Sequence, residues 1–286
     1  MNATETFEQH RSTLIGAAYR ILGSRSDAED VVQEAWIRWS GVEHDTIDEP
    51  RAFLLTVTTR LALNRLRQLA RRKESYVGPW LPEPVATDPS ANGEAAAQLA
   101  DEVSMAMLIV LESLSPLERA AFVLTEVFGM SAPEVADALD RSPAAVRQLV
   151  HRARSHVEAR QPRHVVDERR HREITERFMA AAKGGDLTAL LEILSPDVVL
   201  VTDGGGIKQA ALRPIHGADR VLRWFAGVLE KPESETIDFE LRSVNGELAI
   251  VATTADGLDG VIFVTVEDDR ITALHGIRNP EKLGAV

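Results

Sequence analysis

The residues best suited to recognition chemistry lie in a short segment that ends near Arg160. From Pro143 onward, apolar residues recur at helical spacing, so the polar residues between them fall on one outward face. That face carries Arg147, Gln148, His151, Arg152 and Arg154. Arginine can bond guanine through two hydrogen bonds and glutamine can bond adenine, each pair contributing roughly 1 to 3 kcal/mol of discrimination. The segment therefore has the chemistry of a helix that reads the major groove of DNA.

The residues before this segment predict the element that would position it. Ser131 and Glu134 have the spacing of a capping box, and Ser142 followed by Pro143 predicts a second helix start. Two short helices joined by a brief turn form a helix-turn-helix. Asp140 occupies the turn, where glycine is common, but aspartate tolerates the left-handed conformation better than most residues. A plain helical pair is the alternative interpretation.

A second basic stretch runs from Arg51 to Lys73 and contains no acidic residue. One face of the helix predicted here carries Phe53, Arg60, Asn64, Arg67 and Arg71. Cations that hold phosphate, beside a ring that stacks on a base, suit single-stranded nucleic acid. A solvated basic face with Phe53 in the core is the alternative.

The segment from Asp27 to Trp39 predicts an amphipathic helix with acidic residues in its first turn. Its polar face carries Asp30, Gln33, Glu34, Ile37 and Arg38. An apolar Ile37 among polar residues indicates a docking surface, whereas a plainly solvated face is the alternative.

Between Glu74 and Ser90, prolines and a glycine predict a linker in place of regular structure. Its motif WLPEP, from Trp80 to Pro84, places an indole and a leucine in a segment that proline stiffens. A purely flexible tether would favour glycine and serine instead. We therefore expect this motif to dock onto another surface.

Beyond Pro162, helical segments come first and alternating strands follow, with a hairpin signal at Asn245-Gly246. This order predicts an α+β domain with helices packed on one face of a curved sheet. The motif DGGG, from Asp203 to Gly206, lacks the spacing of a phosphate-binding loop, so we reject a nucleotide site there. The glycines instead indicate a tight turn or a close backbone contact.

The composition is that of a folded chain with two or three domains: 286 residues, 44% hydrophobic and 27% charged. The net charge of -12 opposes nucleic-acid binding only where charge is evenly spread, and the two basic stretches show that it is not. The absence of cysteine excludes disulfides, cysteine-zinc fingers and thiol catalysis. With no apolar run long enough to span a membrane, we expect a cytoplasmic protein.

Several of these motifs occur together in a known family. DAEDVVQEAW at Asp27–Trp36, the basic helix and the helix-turn-helix at Ser131–His156 resemble domains two and four of extracytoplasmic-function sigma factors of bacterial RNA polymerase. WLPEP, DGGG and the motif NPEKL at Asn279–Leu283 resemble the SigJ-type subgroup, which has a SnoaL-like C-terminal domain. Glu281 stands where that subgroup usually has aspartate.

The resemblance implies a multidomain fold. Two all-α sigma domains, the second a helix-turn-helix, would precede a cone-shaped α+β domain of the SnoaL-like, nuclear-transport-factor-two-like fold. The expected boundaries are 1–73 for sigma domain two, 74–95 for the linker, 96–160 for sigma domain four and 163–286 for a SnoaL-like regulatory domain.

The resemblance also implies a role for each motif: the chain would bind core polymerase, direct promoter-specific initiation and be tuned in cis by its C-terminal domain. Contacts to core polymerase would come from Asp30, Gln33, Glu34 and Trp36. The -10 element would meet Phe53, Arg60, Asn64, Arg67 and Arg71, and the -35 element Arg147, Gln148, His151, Arg152 and Arg154. An interdomain regulatory contact would use Trp80, Leu81, Pro82, Glu83, Pro84, Asp203, Gly204, Gly205, Gly206, Asn279, Pro280, Glu281, Lys282 and Leu283. The expected partners are core polymerase, promoter DNA and an unidentified small ligand in the C-terminal cup, with no membrane, catalytic residue, metal or cofactor.

Two other functions are compatible with parts of the sequence. A one-component helix-turn-helix regulator would bind its operator without polymerase and sense a ligand in the cup. A SnoaL-type enzyme domain fused to a DNA-binding module would use pocket residues drawn from Asp203, His216, Trp224 and His275. Both tyrosines precede the C-terminal domain in sequence, which argues against an isomerase with a tyrosine oxyanion donor.

Overall fold

The computed structural model describes residues 2–44, 47–87, 103–160, 167–231 and 236–286. The chain forms two compact units, one of Met1–Ser75 with Ala106–Gln161 and one of Tyr76–Met105 with Pro162–Val286. The expected sigma domain two and most of the expected sigma domain four thus lie in the first unit, whereas the described linker residues 76–87 belong to the second. Residues 88–95 of the expected linker and 96–102 of the expected sigma domain four lie outside the described residues. No helix in the described ranges combines the length and apolar character that crossing a bilayer requires.

The first unit is all helical over the residues described. Its helices are α1 (Ala3–Leu22), α2 (Arg25–Ser40), α3 (Pro50–Glu74), α4 (Met105–Glu112), α5 (Pro116–Phe122), α6 (Ala132–Leu139) and α7 (Pro143–Glu158). A π-helical turn over Val123–Val127 extends α5. Helices α1, α2 and α3 pack together, as do α5, α6 and α7, and α3 also packs on α6.

The helix ends are capped as the sequence predicts. Ser115 and Ser131 form complete capping boxes at the starts of α5 and α6, and Ser142 accepts a hydrogen bond from the Ala145 amide. Asp140 ends α6 in the left-handed conformation, with φ of 53°. The turn of the helix-turn-helix is therefore made by an aspartate where glycine is usual.

A buried ion-pair network joins the two halves of this unit. Arg119 donates to the Ile21 carbonyl at 2.8 Å and to Glu112 at 3.1 Å, and Lys73 pairs with Glu112 at 2.8 Å. Burial by itself would raise the pKa of Glu112, but the two cations outweigh that effect and lower it. Glu112 is thus ionised and holds α3 and α5 to α4.

The second unit is α+β, as predicted. Its elements are α8 (Glu168–Gly184), α9 (Leu187–Ile193), β1 (Leu194–Asp203), β2 (Ile215–His216), α10 (Ala218–Leu229), β3 (Asp238–Val244), β4 (Glu247–Thr254), β5 (Gly257–Glu267), β6 (Arg270–Ile277) and a 3₁₀ turn at Pro280–Lys282. The strand order is β2-β1-β6-β5-β4-β3, with β1 parallel to β6 and the other pairs antiparallel. The short β2 and the parallel β1–β6 pair were not predicted from the sequence.

The helices of this unit cover one face of the sheet. Ile174 and Phe178 of α8 pack with Leu274 of β6 in the same core. Because successive strand residues point to opposite faces, Asp203 and His275 lie on the other side of the sheet from Leu274. The face covered by the helices and the face that carries Asp203 are therefore on opposite sides of the sheet.

Candidate functional site

The outer face of α7 is open to solvent. The helix buries its apolar stripe, which includes Val146, Leu149 and Val150, within the first unit. All the polar residues predicted to read DNA are exposed: Arg147, Gln148, His151, Arg152 and Arg154. The capped helix start at Ser142 and the turn at Asp140 thus present this face as one continuous surface.

Two arginines of this face are paired with acidic residues of the neighbouring segment. Arg152 donates to Glu118 at 2.7 Å, and Arg154 donates to Glu126 at 2.7 Å. Hydrogen bonds from Ser115 and from Arg152 lower the pKa of Glu118, so that carboxylate is ionised. The pair of Arg154 and Glu126 is largely exposed, and such pairs contribute little stability. Glu118, by contrast, is largely buried, so its pair with Arg152 is partly shielded from solvent.

The predicted -10 face of α3 is engaged with α6. Arg60 donates through Nη2 to the Asp137 carbonyl at 2.5 Å and through Nε to the Ala138 carbonyl at 3.1 Å. Asn64 and Arg67 are exposed and bonded to each other at 2.6 Å. The Arg71 side chain lies outside the described residues. The basic face therefore holds the C-terminal end of the first helix of the helix-turn-helix.

Phe53 is not the exposed platform that the sequence suggested for base stacking. Its ring is half-buried and packs on Trp39, with the ring centroids 5.8 Å apart. The alternative interpretation of Phe53 as a core residue fits this placement better, because helical periodicity does not show that a neighbouring helix covers the ring.

The polar face of α2 is exposed. Asp30, Gln33 and Glu34 are all open to solvent, and Ile37 is 65% exposed between them. Trp36 lies at the border, half-buried and edge-on to Phe7 at 5.1 Å. The four residues expected to contact polymerase thus form one patch with an apolar centre.

The three motifs WLPEP, DGGG and NPEKL meet inside the second unit, around Asp203. This side chain is fully buried. Its Oδ2 accepts from the Leu81 amide at 2.9 Å and from Lys282 Nζ at 2.7 Å, while Oδ1 accepts from the Tyr76 hydroxyl and the Gly205 amide. Each carboxylate oxygen thus has two donors, as a buried charge requires.

Lys282 completes this buried cluster. Its ammonium also donates to the Leu81 carbonyl at 2.6 Å and lies 3.4 Å from the centroid of the Trp80 ring. Asn279 donates to the Tyr76 hydroxyl at 2.8 Å. Burial, followed by the hydrogen bond to Asp203, raises the pKa of Tyr76 above its usual range, so the hydroxyl keeps its proton. We call Tyr76, Trp80, Leu81, Asp203, Asn279 and Lys282 the motif cluster.

The other motif residues surround the cluster. Pro82, Glu83, Pro84 and Leu283 are buried, whereas Pro280 and Glu281 are exposed. An exposed Glu281 accounts for the exchange with the aspartate of the subgroup, because no buried contact depends on its length.

The glycines of DGGG allow close approach. A Cβ at Gly204 would lie 2.2 Å from the Lys208 carbonyl oxygen, and one at Gly205 would lie 2.5 Å from Asn279 Nδ2. Gly205 and Gly206 also have φ of 63° and 74°, which side chains disfavour. The predicted tight turn and close contact are both present.

A separate cavity of about 470 Å³ lies between the helices α8 and α10 and the sheet; we call it the cup. Of the candidate pocket residues, Trp224 lines it. Asp203 belongs to the motif cluster, His216 is exposed beside another depression, and His275 points to the opposite face between Val201 and Phe263. Strand alternation turns Asp203 and His275 to the face of the sheet opposite the cup, so the enzyme alternative keeps Trp224 of its four candidates in this cavity.

The comparisons with known proteins match this architecture. A model of Sigma-70 region 2 matches residues 6–72, one of Sigma-70 region 4 matches 104–157, and one of a SnoaL-like domain matches 175–274. The ECF RNA polymerase sigma factor SigJ of Mycobacterium tuberculosis is 40% identical over 96% of this chain and 91% of the relative. The chain belongs to the ECF sigma factor family.

Other relatives agree with this assignment. The probable ECF RNA polymerase sigma factor SigI of Mycobacterium tuberculosis is 33% identical over 96% of this chain and 92% of its own. The crystal structure of SigJ superposes with a TM-score of 0.78, at 38% identity, over 98% of this sigma factor and 97% of that chain. The fold class is therefore confirmed, and the role is that of a sigma factor in transcription initiation.

Sequence reasoning missed two contributors to the second unit. Tyr76 was placed outside the C-terminal domain, yet it belongs to this unit and bonds Asp203 and Asn279. Arg278 was not singled out, although it borders both the motif cluster and the cup. Its position directly before NPEKL was the available signal.

Proposed function

We propose that this sigma factor binds core polymerase through the α2 face and reads promoter DNA through α3 and α7. Asp30, Gln33, Glu34 and Trp36 would contact the core. Arg60, Asn64, Arg67 and Arg71 would act at the -10 element, with Phe53 supporting them from its half-buried position. Arg147, Gln148, His151, Arg152 and Arg154 would read the -35 element in the duplex. The observation that supports this most strongly is the continuous exposed face of α7 on a capped helix-turn-helix.

The bonds of Arg60 imply that the free sigma factor holds its two DNA-binding helices together. Arg60 cannot contact a promoter while its guanidinium is bonded to the carbonyls of Asp137 and Ala138. We infer that the α3–α6 contact opens when core polymerase binds. The bonds are partly exposed and neutral on the acceptor side, so a favourable surface on polymerase can compete with them.

Fluorescence transfer between two labels tests this opening. The chain has no cysteine, so Ala70→Cys and Arg141→Cys introduce the only two labelling sites. Both positions are exposed and belong to the first unit. Transfer efficiency should fall when purified bacterial core polymerase is added and stay constant with albumin. Unchanged efficiency in a mixture shown to contain the bound complex would contradict the opening.

Transcription assays test the promoter and polymerase roles together. Purified bacterial core polymerase with this sigma factor should start transcripts at defined sites. The double variant Arg147→Ala, Gln148→Ala should lose -35-dependent starts yet still bind core, whereas Ile37→Asp should lose core binding. Arg172→Ala, an exposed arginine of α8 in the other unit, is the matched control. If the double variant keeps its -35-dependent starts and Ile37→Asp still binds core polymerase, the residue assignments are refuted.

We further propose that the C-terminal domain tunes sigma activity in cis through the motif cluster. The support is that residues from the segment joining the two sigma domains, Tyr76 to Leu81, are held by Asp203 and Lys282 of the C-terminal domain. The path of the chain between α3 and α4 thus depends on this domain. Asp203→Asn or Trp80→Ala should change transcription while core binding and the circular dichroism spectrum stay the same. Unchanged transcription in both variants would count against the proposal.

A further inference from the structure

The cup has the size and lining of a ligand site. Its volume of about 470 Å³ lies in the range of small-molecule pockets. Its walls are aromatic and aliphatic, with Phe178, Trp224 and Phe225 from the helices facing Ile250, Ile262 and Leu274 from the sheet. Such walls favour the flat apolar body of a ring system over a sugar or a nucleotide.

Apart from Lys183, which pairs with Asp238 at 3.5 Å, the polar side chains of the lining gather at one end. Thr202 pairs in register with Gly276, and Asp259, Gly260 and Arg278 occupy the adjoining strand ends. Glycine at 260 is required there, because a Cβ would lie 2.9 Å from the Ile277 carbonyl oxygen. That Cβ would also lie 3.0 Å from Arg278 Cγ, so the missing side chain lets the stem of Arg278 pack directly against β5.

This polar end carries an excess of positive charge. Asp259 is buried and lies between Arg278, at 2.7 Å, and Lys208, at 3.1 Å. The three side chains together have one more positive than negative charge. A single acidic group would balance it.

Arg278 has hydrogen-bonding capacity left for that acidic group. Its Nε and Nη2 donate to Asp259 at 2.9 and 3.0 Å, and its Nη1 donates to the Gln209 carbonyl at 2.9 Å. Of the five N–H groups of a guanidinium, one on each terminal nitrogen has no acceptor among the described residues. The side chain is 31% exposed, so these donors are accessible to a carboxylate or a sulfonate.

The chemistry of the lining favours binding over catalysis. Among the described residues it contains no histidine, tyrosine or glutamate, and its one carboxylate, Asp259, is committed to two cations. A general base needs a free lone pair within reach of the substrate.

We propose that the cup binds a small aromatic anion, with its fused or linked rings between Trp224 and the sheet and its acidic group on Arg278. The bound ligand would lie one residue from the motif cluster, because Arg278 and Asn279 both donate backbone N–H groups to the Asp203 carbonyl. An effect of the ligand on transcription rests on the cis control proposed above, whereas binding itself does not.

Fluorescence titration of the full chain tests the site without polymerase. The probe is 8-anilinonaphthalene-1-sulfonate, which has a ring body and an anionic group, and its uncharged comparison is N-phenyl-1-naphthylamine. The sulfonate should bind saturably at one site per chain, with energy transfer from Trp224 that Trp224→Phe removes. Ile262→Trp should fill the cup and abolish binding of both probes, while the thermal unfolding midpoint shows that the variant is folded.

Arg278→Gln combined with Asp259→Asn tests the polar end without leaving a buried carboxylate unpaired. This pair of changes should weaken sulfonate binding about tenfold and leave the neutral probe within about twofold. Arg242→Gln, an exposed arginine of β3, is the control and should change neither. Equal binding of the sulfonate by folded Ile262→Trp, or equal weakening of both probes by the double variant, would overturn the proposal. Neither result depends on the outcome of the transcription assays.

Discussion

The α7 face and the motif cluster use charged side chains in opposite ways. On α7 the polar residues are exposed, and the side-chain partners of Arg152 and Arg154 are carboxylates of the neighbouring segment. In the cluster, Asp203 and Lys282 are buried and bonded to each other, to the backbone and to aromatic rings. A partner at an exposed site is replaceable because water can take its place, but a partner at a buried site is not. The two regions should therefore respond differently to the same kind of substitution.

The largest expected effect comes from removing the buried cation. Lys282→Met leaves the Asp203 carboxylate buried with no opposing charge, which should cost about 3 to 5 kcal/mol of unfolding free energy. Chemical denaturation followed by tryptophan fluorescence measures it. Lys183→Met, which removes an exposed lysine 3.5 Å from exposed Asp238, is the matched control and should change stability little. Similar effects in both variants would remove the distinction between buried and exposed charge.

His275, a half-buried residue on the same face of the sheet as Asp203, makes the stability depend on pH. Burial lowers the pKa of His275 to about 4. Between pH 6.5 and 4 the imidazole of His275 therefore binds a proton in the unfolded chain but not in the folded chain. The free energy of unfolding consequently falls as pH decreases through this range. The loss attributable to His275 is about 3 kcal/mol at its limit.

His275→Phe should abolish this component of the pH dependence. The measurement is the difference in unfolding free energy between wild type and variant at several pH values, since carboxylates elsewhere titrate equally in both. The difference should shift in favour of the variant as pH falls from 7 to 4. A constant difference would show that the imidazole is solvated in the folded state.

At the α7 face, for which we propose DNA reading, substitution should change recognition without changing stability. Arg147→Ala should weaken binding to a cognate -35 duplex by roughly 1 to 3 kcal/mol and relax sequence preference at one position. Competition binding of holoenzyme to matched and mismatched duplexes measures both. Uniform weakening for all sequences would instead assign Arg147 to a phosphate.

The smallest effect is expected at the ion pair between Arg154 and Glu126. Glu126→Gln removes the negative charge from an exposed ion pair, so the variant should unfold at nearly the same temperature as the wild type. The small difference between their unfolding midpoints should not change with added salt. Differential scanning calorimetry at low and high salt checks this. A clear loss of stability would show that this face is structural as well as functional.

Most of the first unit and the strand order of the hairpins followed from local signals. Ser131, Ser142 and Asp140 are read directly from the sequence because a cap or a turn involves only neighbouring residues. Phe53 and Arg60 show the limit of such signals. Periodicity places both on one face of α3, but it does not reveal that Trp39 covers the ring or that α6 carbonyls hold the guanidinium.

The sequence by itself determined the helix-turn-helix, the α+β character of the C-terminal domain and the exposed faces of α2 and α7. Only the tertiary structure decided that Tyr76–Leu81 joins the C-terminal domain, that Asp203 and Lys282 pair in its interior, and that Arg278 borders the cup. The physical reason is the separation along the sequence between the residues that interact. Caps and amphipathic faces depend on residues three or four positions apart, whereas a buried carboxylate obtains its donors from wherever the chain returns to it.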